Sequence, residues 1–144
     1  MAKKVERTRN AGTWTQAEFD SRIISALRQI SQYWKPKQQC LREARVSKGI
    51  YVCEQCKKRV PSTVSGVYKT GKKKGKPRKI KNIIADHIDP VVDPNVGRRS
   101  WDEYIDRMFI ETGWQAICSS CHKTKSAEET SIAAKRRRRE NENN

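Results

Sequence analysis

The sequence predicts a small α+β domain that needs an internal cross-link for stability. Only 35% of its 144 residues are hydrophobic and 33% are charged, so the folded chain buries little apolar surface. Stretches with helical periodicity alternate with stretches that have strand character. Four of the five cysteines form two Cys-x-x-Cys pairs, Cys53 with Cys56 and Cys118 with Cys121. These two pairs are the candidate cross-link.

The cysteine pairs predict one structural zinc site. Tetrahedral zinc takes four thiolates, and each two-residue spacer lets both sulfur atoms of a pair reach the same ion. The 61 residues between the pairs, 57–117, exceed the spacer of a small zinc motif, so the ion would hold an inserted unit together. Four independent buried thiols are the alternative. Cys40 has no partner at this spacing, and we expect it in a small core.

The charge of the chain predicts a polyanionic partner. Lys and Arg number 32 against 16 Asp and Glu, which gives a formal net charge of +16, and such a charge favours nucleic acid. No stretch approaches the roughly 18 apolar residues of a membrane span, and no signal-peptide core follows the basic N-terminus. We therefore expect a soluble, cytoplasmic protein that binds no membrane. In a reducing cytoplasm, paired cysteines bind metal more often than they form disulfides.

The N-terminal third is predicted to be helical after a short arm. Residues 1–12 carry four basic side chains and no apolar periodicity, which indicates a flexible basic arm. Residues 13–49 form a helical segment, in which the capping box Thr15-x-x-Glu18 opens a first helix and Pro36 begins a short second one. The predicted core stripe of the first helix is Phe19, Ile23, Leu27, Ile30 and Trp34.

Residues 50–134 form the predicted zinc-stabilised domain, which contains a basic loop. Residues 69–81 include eight basic side chains, two glycines, one proline and no acid, so this stretch is predicted to be mobile. Contact with phosphates is the expected role. A solvated linker and a nuclear-import signal are the alternatives. The candidate nucleic-acid-binding residues are Lys72, Lys73, Lys74, Lys76, Arg78 and Lys79.

Three strands and two helices complete this domain. Residues 50–52 lead into the first cysteine pair as a short strand, residues 80–88 have the β-branched residues of a buried strand, and residues 113–117 form a further strand. A last helix runs from residue 121 towards residue 135, and residues 135–144 form a basic and polar tail. A capping box at Ser100 opens the other helix, whose predicted core face is Trp101, Tyr104, Ile105, Met108 and Phe109.

Asp86, His87 and His122 are the residue types that metal-dependent phosphodiester cleavage requires. An imidazole of ordinary pKa is neutral near pH 7, so His87 can take a proton from water. One carboxylate and one imidazole, Asp86 and His122, can hold a divalent cation and leave positions open for phosphate and water. Because successive strand residues face opposite sides, we expect the strand to end or bulge here. The alternative is a loop histidine beside an aspartate, with His122 as a polar residue at a helix start.

Asp86-His87, followed by Ile117-Cys118-Ser119-Ser120-Cys121-His122-Lys123-Thr124-Lys125, resembles the HNH endonucleases with a ββα-metal site. The likeness is to the small stand-alone enzymes of bacteriophages and covers roughly residues 50–130. It implies an α+β ββα-metal core with a zinc knuckle. It also implies that His87 is the general base, that Asp86 and His122 hold a catalytic Mg²⁺ or Mn²⁺, and that structural zinc binds the paired cysteines, Cys53, Cys56, Cys118 and Cys121.

One position departs from the family pattern. The middle asparagine of the family commonly precedes the second strand, and the nearest residue here is Gly113. Either a backbone carbonyl or another side chain therefore orients His87, or the activity is reduced.

The resemblance predicts an endonuclease that nicks or cuts double-stranded DNA, in the host-cell cytoplasm if a phage encodes it. A non-catalytic, zinc-ribbon-like nucleic-acid-binding module is the rival interpretation. It explains the cysteines and the charge but leaves Asp86, His87 and His122 without a role. A basic accessory protein that binds phage packaging proteins is a third interpretation, and it is compatible with activity.

Overall fold

A computed structural model describes residues 5–144 and divides the chain into two compact units, Met1–Trp34 and Lys35–Asn144. The protein is mixed α/β, as predicted, with small sheets. The helices are α1 (Gln16–Ser31), α2 (Lys35–Ala44), α3 (Trp101–Met108) and α4 (Ser119–Glu142). The strands are β1 (Arg45–Ser47), β2 (Ile50–Val52), β3 (Arg59–Pro61), β4 (Thr63–Val67), β5 (Pro77–Lys81), β6 (Ile83–His87) and β7 (Trp114–Cys118).

The first unit consists of a closed turn and α1. The predicted capping box is confirmed, because the Thr15 hydroxyl accepts from the Glu18 N–H and the Glu18 carboxylate accepts from the Thr15 N–H. Arg9 and Trp14 exchange two backbone hydrogen bonds, so the end of the predicted flexible arm is a closed turn. Residues 1–4 of that arm lie outside the described residues. The predicted stripe is wrong at Ile30, which is 58% exposed.

The second unit contains three antiparallel sheets. Their strand orders are β1-β2-β3, β4-β5 and β6-β7. Both α2 and α4 pack on β6 and β7, which buries the centre of this pair. The main core cluster joins the buried residues Cys53, Ile117 and Cys118.

The predicted strand at residues 80–88 and the predicted mobile loop at residues 69–81 both need correction. Residues 77–81 are β5, which pairs along its whole length with β4, and a separate strand, β6, begins at Ile83. Asn82 causes the division, because its backbone N–H donates to the Ser62 carbonyl and its side-chain amide donates to the Pro61 carbonyl. The loop itself is therefore only the short connection between β4 and β5.

Two glycines leave space that a side chain from another segment occupies. A Cβ atom at Gly66 of β4 would lie 2.2 Å from Ile80 Cδ1, so the Ile80 side chain covers this glycine. Gly97 has a φ of +86°, and a Cβ atom there would lie 2.0 Å from Arg136 Nη1. The Arg136 side chain therefore packs on the loop that precedes α3.

Helices α3 and α4 differ from the sequence prediction at their ends and faces. Ser100 caps α3 by accepting from the Glu103 N–H, but the predicted capping box is incomplete, because the Glu103 carboxylate pairs with Arg99 instead. Tyr104 and Met108 are buried as predicted, whereas Ile105 is 39% exposed. Helix α4 begins two residues before the predicted start and continues to Glu142 through the predicted tail. Ion pairs at four-residue spacing stabilise this polar helix; they are Lys125 with Glu129 and Arg136 with Glu140.

Candidate functional site

The four paired cysteines lie together and could hold a metal ion such as zinc. Their Sγ atoms all lie within 4.8 Å of one another, and the Sγ atoms of Cys56 and Cys118 are 3.9 Å apart. A tetrahedral zinc with Zn–S bonds of about 2.3 Å places its sulfur ligands about 3.8 Å apart. The donor set therefore fits zinc in both number and spacing.

Local backbone geometry directs the first cysteine pair inward. The turn after β2 closes through hydrogen bonds from the Lys57 N–H to the Cys53 carbonyl and from the Cys53 N–H to the Lys58 carbonyl. Lys57 has a φ of +62°, in the left-handed region that lets the chain reverse direction. The second pair begins where β7 ends and enters the first turn of α4, so both pairs meet at one end of the β6–β7 sheet.

The thiols of this cluster ionise unequally. Burial raises the pKa of Cys53, but N–H groups of Cys56, Cys118 and Gln55 outweigh it and lower the pKa to about 6. A hydrogen bond to Cys118 raises the pKa of Cys121 to about 12, and burial adds to this effect. A divalent cation favours ionisation of all its thiol ligands, so it would relieve this conflict between neighbouring thiols.

Cys40 lies outside the four-cysteine cluster, in agreement with its predicted separate role. Its Sγ atom is 3.9 Å from Glu54 Oε2. Burial, followed by the nearby Glu54 charge, raises the Cys40 pKa to about 11. The thiol is therefore protonated at neutral pH and poorly suited to bind a metal.

Asp86 and His87 are the last two residues of β6 and face opposite sides of the sheet. Asp86 pairs with Gln115 and His87 with Trp114, in unbroken antiparallel register with β7. The expectation that the strand ends or bulges here, and so frees the two side chains from opposite faces, is wrong, because regular pairing continues through both residues and the strand ends only after His87. The regular pleat therefore places Asp86 towards α4 and the His87 ring against Trp114.

The His87 side chain is held by a backbone carbonyl and by an aromatic ring. Its Nε2 atom lies 2.9 Å from the Met108 carbonyl oxygen, and its ring centroid lies 4.1 Å from that of Trp114. A carbonyl oxygen can only accept, so Nε2 carries the proton and the neutral ring presents Nδ1 as its acceptor. Burial lowers the His87 pKa, although the Met108 hydrogen bond and the Asp86 charge oppose the shift. The neutral form is thereby favoured at pH 7.

Backbone carbonyls orient the His87 side chain and the end of β6. Met108 is the last residue of α3, and helix-terminal carbonyls lack partners within the helix. This unpaired carbonyl is the one that accepts from His87. The Gly113 carbonyl accepts from the N–H of Ile88, the residue after His87. Two backbone carbonyls thus fix the end of β6.

The Asp86 carboxylate faces His122 and Lys125 of α4. Asp86 Oδ1 is 3.9 Å from His122 Nε2, while Oδ2 contacts the Lys125 ammonium, which also contacts the His87 carbonyl. Two ligands on adjacent octahedral positions of Mg²⁺, with bonds of about 2.1 Å, lie about 3 Å apart. The separation of Asp86 and His122 is wider than this, although a carboxylate and an imidazole are residue types that bind divalent cations.

The predicted nucleic-acid-binding residues lie on the hairpin formed by β4 and β5. Every residue from 71 to 81 is exposed. Tyr68 supports the hairpin, because the Arg78 guanidinium lies 5.1 Å and the Lys73 ammonium 5.7 Å from its ring centroid. Four of the predicted residues are in the connection and two are in β5; they are Lys72, Lys73, Lys74 and Lys76, followed by Arg78 and Lys79.

Sequence reasoning missed two side chains at this site, Lys125 and Trp114. Lys125 was predictable, because it follows His122 by three residues and so lies on the same helical face. Trp114 lies opposite His87 only through the β6–β7 register, which required the strand boundaries to be known. The Met108 carbonyl left no signal in the sequence at all.

A comparison of the chain with protein-family models, curated proteins and solved structures finds no match. None of the helices within residues 5–144 is long and apolar enough to cross a bilayer.

Proposed function

We propose that this protein is an HNH-type endonuclease that uses a divalent metal to hydrolyse phosphodiester bonds in double-stranded DNA. Strands β6 and β7 followed by α4 would form its ββα-metal core. The observation that carries the proposal is the position of the His87 ring, whose Nε2 atom lies 2.9 Å from the Met108 carbonyl oxygen. The acceptor Nδ1 is then available as a general base at the end of a strand that also carries Asp86.

His87 would take the proton from the attacking water. A general base works best when its pKa lies near or below the working pH, because it must be unprotonated before it acts. Burial lowers the His87 pKa, and the fixed tautomer keeps Nδ1 unprotonated. Trp114 and the Met108 carbonyl restrict the ring, so the base is oriented before substrate binds.

Asp86 and His122 would hold the catalytic Mg²⁺ or Mn²⁺. Such an ion neutralises charge on the non-bridging oxygens and stabilises the leaving oxygen. In-line displacement needs the attacking and leaving oxygens on opposite sides of phosphorus. The opposite orientations of Asp86 and His87 meet this requirement, because a phosphate at the end of β6 would have the base on one side and the ligands on the other.

The four-cysteine cluster would hold structural zinc, and the basic hairpin would bind DNA phosphates. Zinc at Cys118 and Cys121 would fix the junction of β7 and α4, and His122 immediately follows this junction. The +16 formal charge favours a polyanion. Both features support the proposal and are equally compatible with a protein that only binds nucleic acid.

One observation favours that second candidate, a non-catalytic binding module. The Lys125 ammonium already neutralises one oxygen of Asp86, so the carboxylate has a partner without a divalent cation. In a nuclease, Asp86 Oδ1 would bind the metal while Lys125 keeps its contact with Oδ2. In a binding module, the Asp86–Lys125 pair would serve only to attach α4 to β6.

Nicking of supercoiled plasmid separates the two candidates. With Mg²⁺ or Mn²⁺ the wild-type protein should nick, and His87→Ala should lower the rate by about 10² to 10⁴ while DNA binding is kept. His122→Ala should raise the metal concentration required, and added Mn²⁺ should partly restore its activity. Wild-type nicking by His87→Ala would contradict the base assignment. Identical metal titrations of both variants would contradict the division of roles.

A further inference from the structure

The β4–β5 hairpin has two chemically different faces. Cross-strand pairs share a face, and the register pairs Thr63 with Lys81 and Ser65 with Lys79. These four residues form what we term the polar hairpin face. The alternate pairs, Val64 with Ile80 and Gly66 with Arg78, form the apolar hairpin face. The basic residues of β5 are therefore not equivalent, because Arg78 lies on Tyr68 and faces away from Lys79 and Lys81.

Lys37 of α2 brings a positive charge to the candidate catalytic site. Its ammonium lies 5.9 Å from the centroid of Trp114, the same indole that stacks on His87. The side chain is partly buried. Among the described residues, Lys37 forms no ion pair and no hydrogen bond. Burial lowers the Lys37 pKa, and the positive charge of Lys81 lowers it further, while the negative charge of Asp86 opposes both effects.

A bound anion would give the partly buried Lys37 ammonium a partner of opposite charge. A partly desolvated charge is costly unless it is paired and hydrogen-bonded. Asp86, the carboxylate whose charge acts on Lys37, is already engaged with Lys125. Lys81 is near enough to influence Lys37, and Lys79 precedes it on the same hairpin face. Lys79 and Lys81 therefore share one hairpin face, and Lys37 is the lysine beside the indole that stacks on His87.

We propose that Lys37 binds the phosphate to be cleaved, and that Lys81 and Lys79 bind the phosphates next to it on one DNA strand. This inference rests on the proposed function. It adds a phosphate-binding residue to the site and restricts DNA contact by β5 to the polar hairpin face. Lys37 would hold one non-bridging oxygen beside His87, so that the water activated by His87 meets the phosphorus. Arg78 would contribute little, because it lies on the other face.

Lys37→Met and Lys35→Met provide the matched test. Both residues belong to α2 and both substitutions remove one charge, but Lys35 is exposed. Affinity for a short duplex is measured without divalent metal over a range of salt concentrations, so that nothing is cleaved. Lys37→Met should weaken binding about tenfold, with the slope of log affinity against log salt shallower by up to about 0.9. Lys35→Met should leave both quantities close to wild type, and Lys37→Arg should keep the slope.

The hairpin supplies a second, independent pair of variants. Lys81→Met should make the salt slope shallower, whereas Arg78→Met, with the same change in charge, should not. Should Lys37→Met melt below the assay temperature, Lys37→Gln replaces it. Equal effects of Lys37→Met and Lys35→Met, or of Lys81→Met and Arg78→Met, would overturn the proposed contacts. Failure of the wild-type protein to nick would instead overturn the nuclease, because these binding results do not depend on cleavage.

Discussion

The β4–β5 hairpin and the β6–β7 pair have the same strand arrangement but differ in their exposure to solvent. Each joins two five-residue antiparallel strands in regular register. All five residues of β5 are exposed, whereas the last three residues of β7 are buried. Strand pairing alone therefore does not create a core. The two strand pairs differ in whether other parts of the protein cover their faces.

The β6–β7 pair is covered by protein and the hairpin is not. Helices α2 and α4 pack on β6 and β7, and the cysteine cluster closes one end. On the hairpin, Ile80 covers Gly66, but both strands remain mostly exposed. We therefore expect substitutions near β6 and β7 to change stability, and substitutions on the hairpin to change DNA binding. Three sets of substitutions test this division.

Cys56→Ser should have the largest effect. Apparent binding free energies of structural zinc are on the order of 10 kcal/mol, so a weakened site should remove cooperative unfolding of β6 and β7. Zinc per protein, measured by elemental analysis, should fall well below one equivalent, and the melting temperature should drop. The matched control, Cys40→Ser, should keep the zinc, because Cys40 lies outside the cluster. A full zinc equivalent in folded Cys56→Ser would disprove the assignment.

Asn82→Ala should have an intermediate effect, because the Asn82 side chain joins β3 to the start of α4. Its side chain donates to the Pro61 carbonyl and accepts from the Ser119 hydroxyl. Removing this side chain leaves partly buried polar groups without partners, at a cost of about 1–3 kcal/mol in free energy of unfolding. Chemical denaturation measures this cost. The exposed control Asn95→Ala should stay within about 0.5 kcal/mol of wild type, and an equal change in both would show that the connection is unimportant.

Replacement of Lys72, Lys73 and Lys74 by Ala should have the smallest effect on stability. All three are exposed in the hairpin connection, so the free energy of unfolding should change by less than about 0.5 kcal/mol per site. Binding to all duplex sequences should weaken similarly, because phosphate contacts carry no sequence information. The slope of log affinity against log salt should be shallower by up to about 0.9 for each lysine–phosphate interaction that the substitutions remove. An unchanged slope would show that the connection is only solvated.

The features that sequence predicted best depend on local patterns. The Thr15 capping box, the Ser100 cap and the two cysteine pairs each occupy a few neighbouring residues, and the structure confirms their local geometry or proximity. Interactions between residues that are close in the sequence are sufficient to predict these features. The strand that ends in Cys118 was also predictable, because its apolar residues are buried.

The features that sequence missed depend on which segments pair. Strand β5 is too basic to be recognised from hydrophobic pattern, and only its register with β4 makes it a strand. The division at Asn82 depends on carbonyls of residues 61 and 62, some twenty positions earlier. The regular pairing that continues through Asp86 and His87 likewise depends on β7. Long-range partners of this kind are not encoded in local periodicity.

The contact between Gly97 and Arg136 couples two positions that lie far apart in the sequence. Arg136 is one of four successive arginines, yet it alone among them is not exposed, because glycine leaves the space that its guanidinium occupies. A larger residue at 97 would displace this guanidinium and would itself be strained at a φ of +86°, so a change at 97 should also release the constraint on residue 136 among related chains. Arg137, Arg138 and Arg139 are free of this constraint and should exchange readily with lysine.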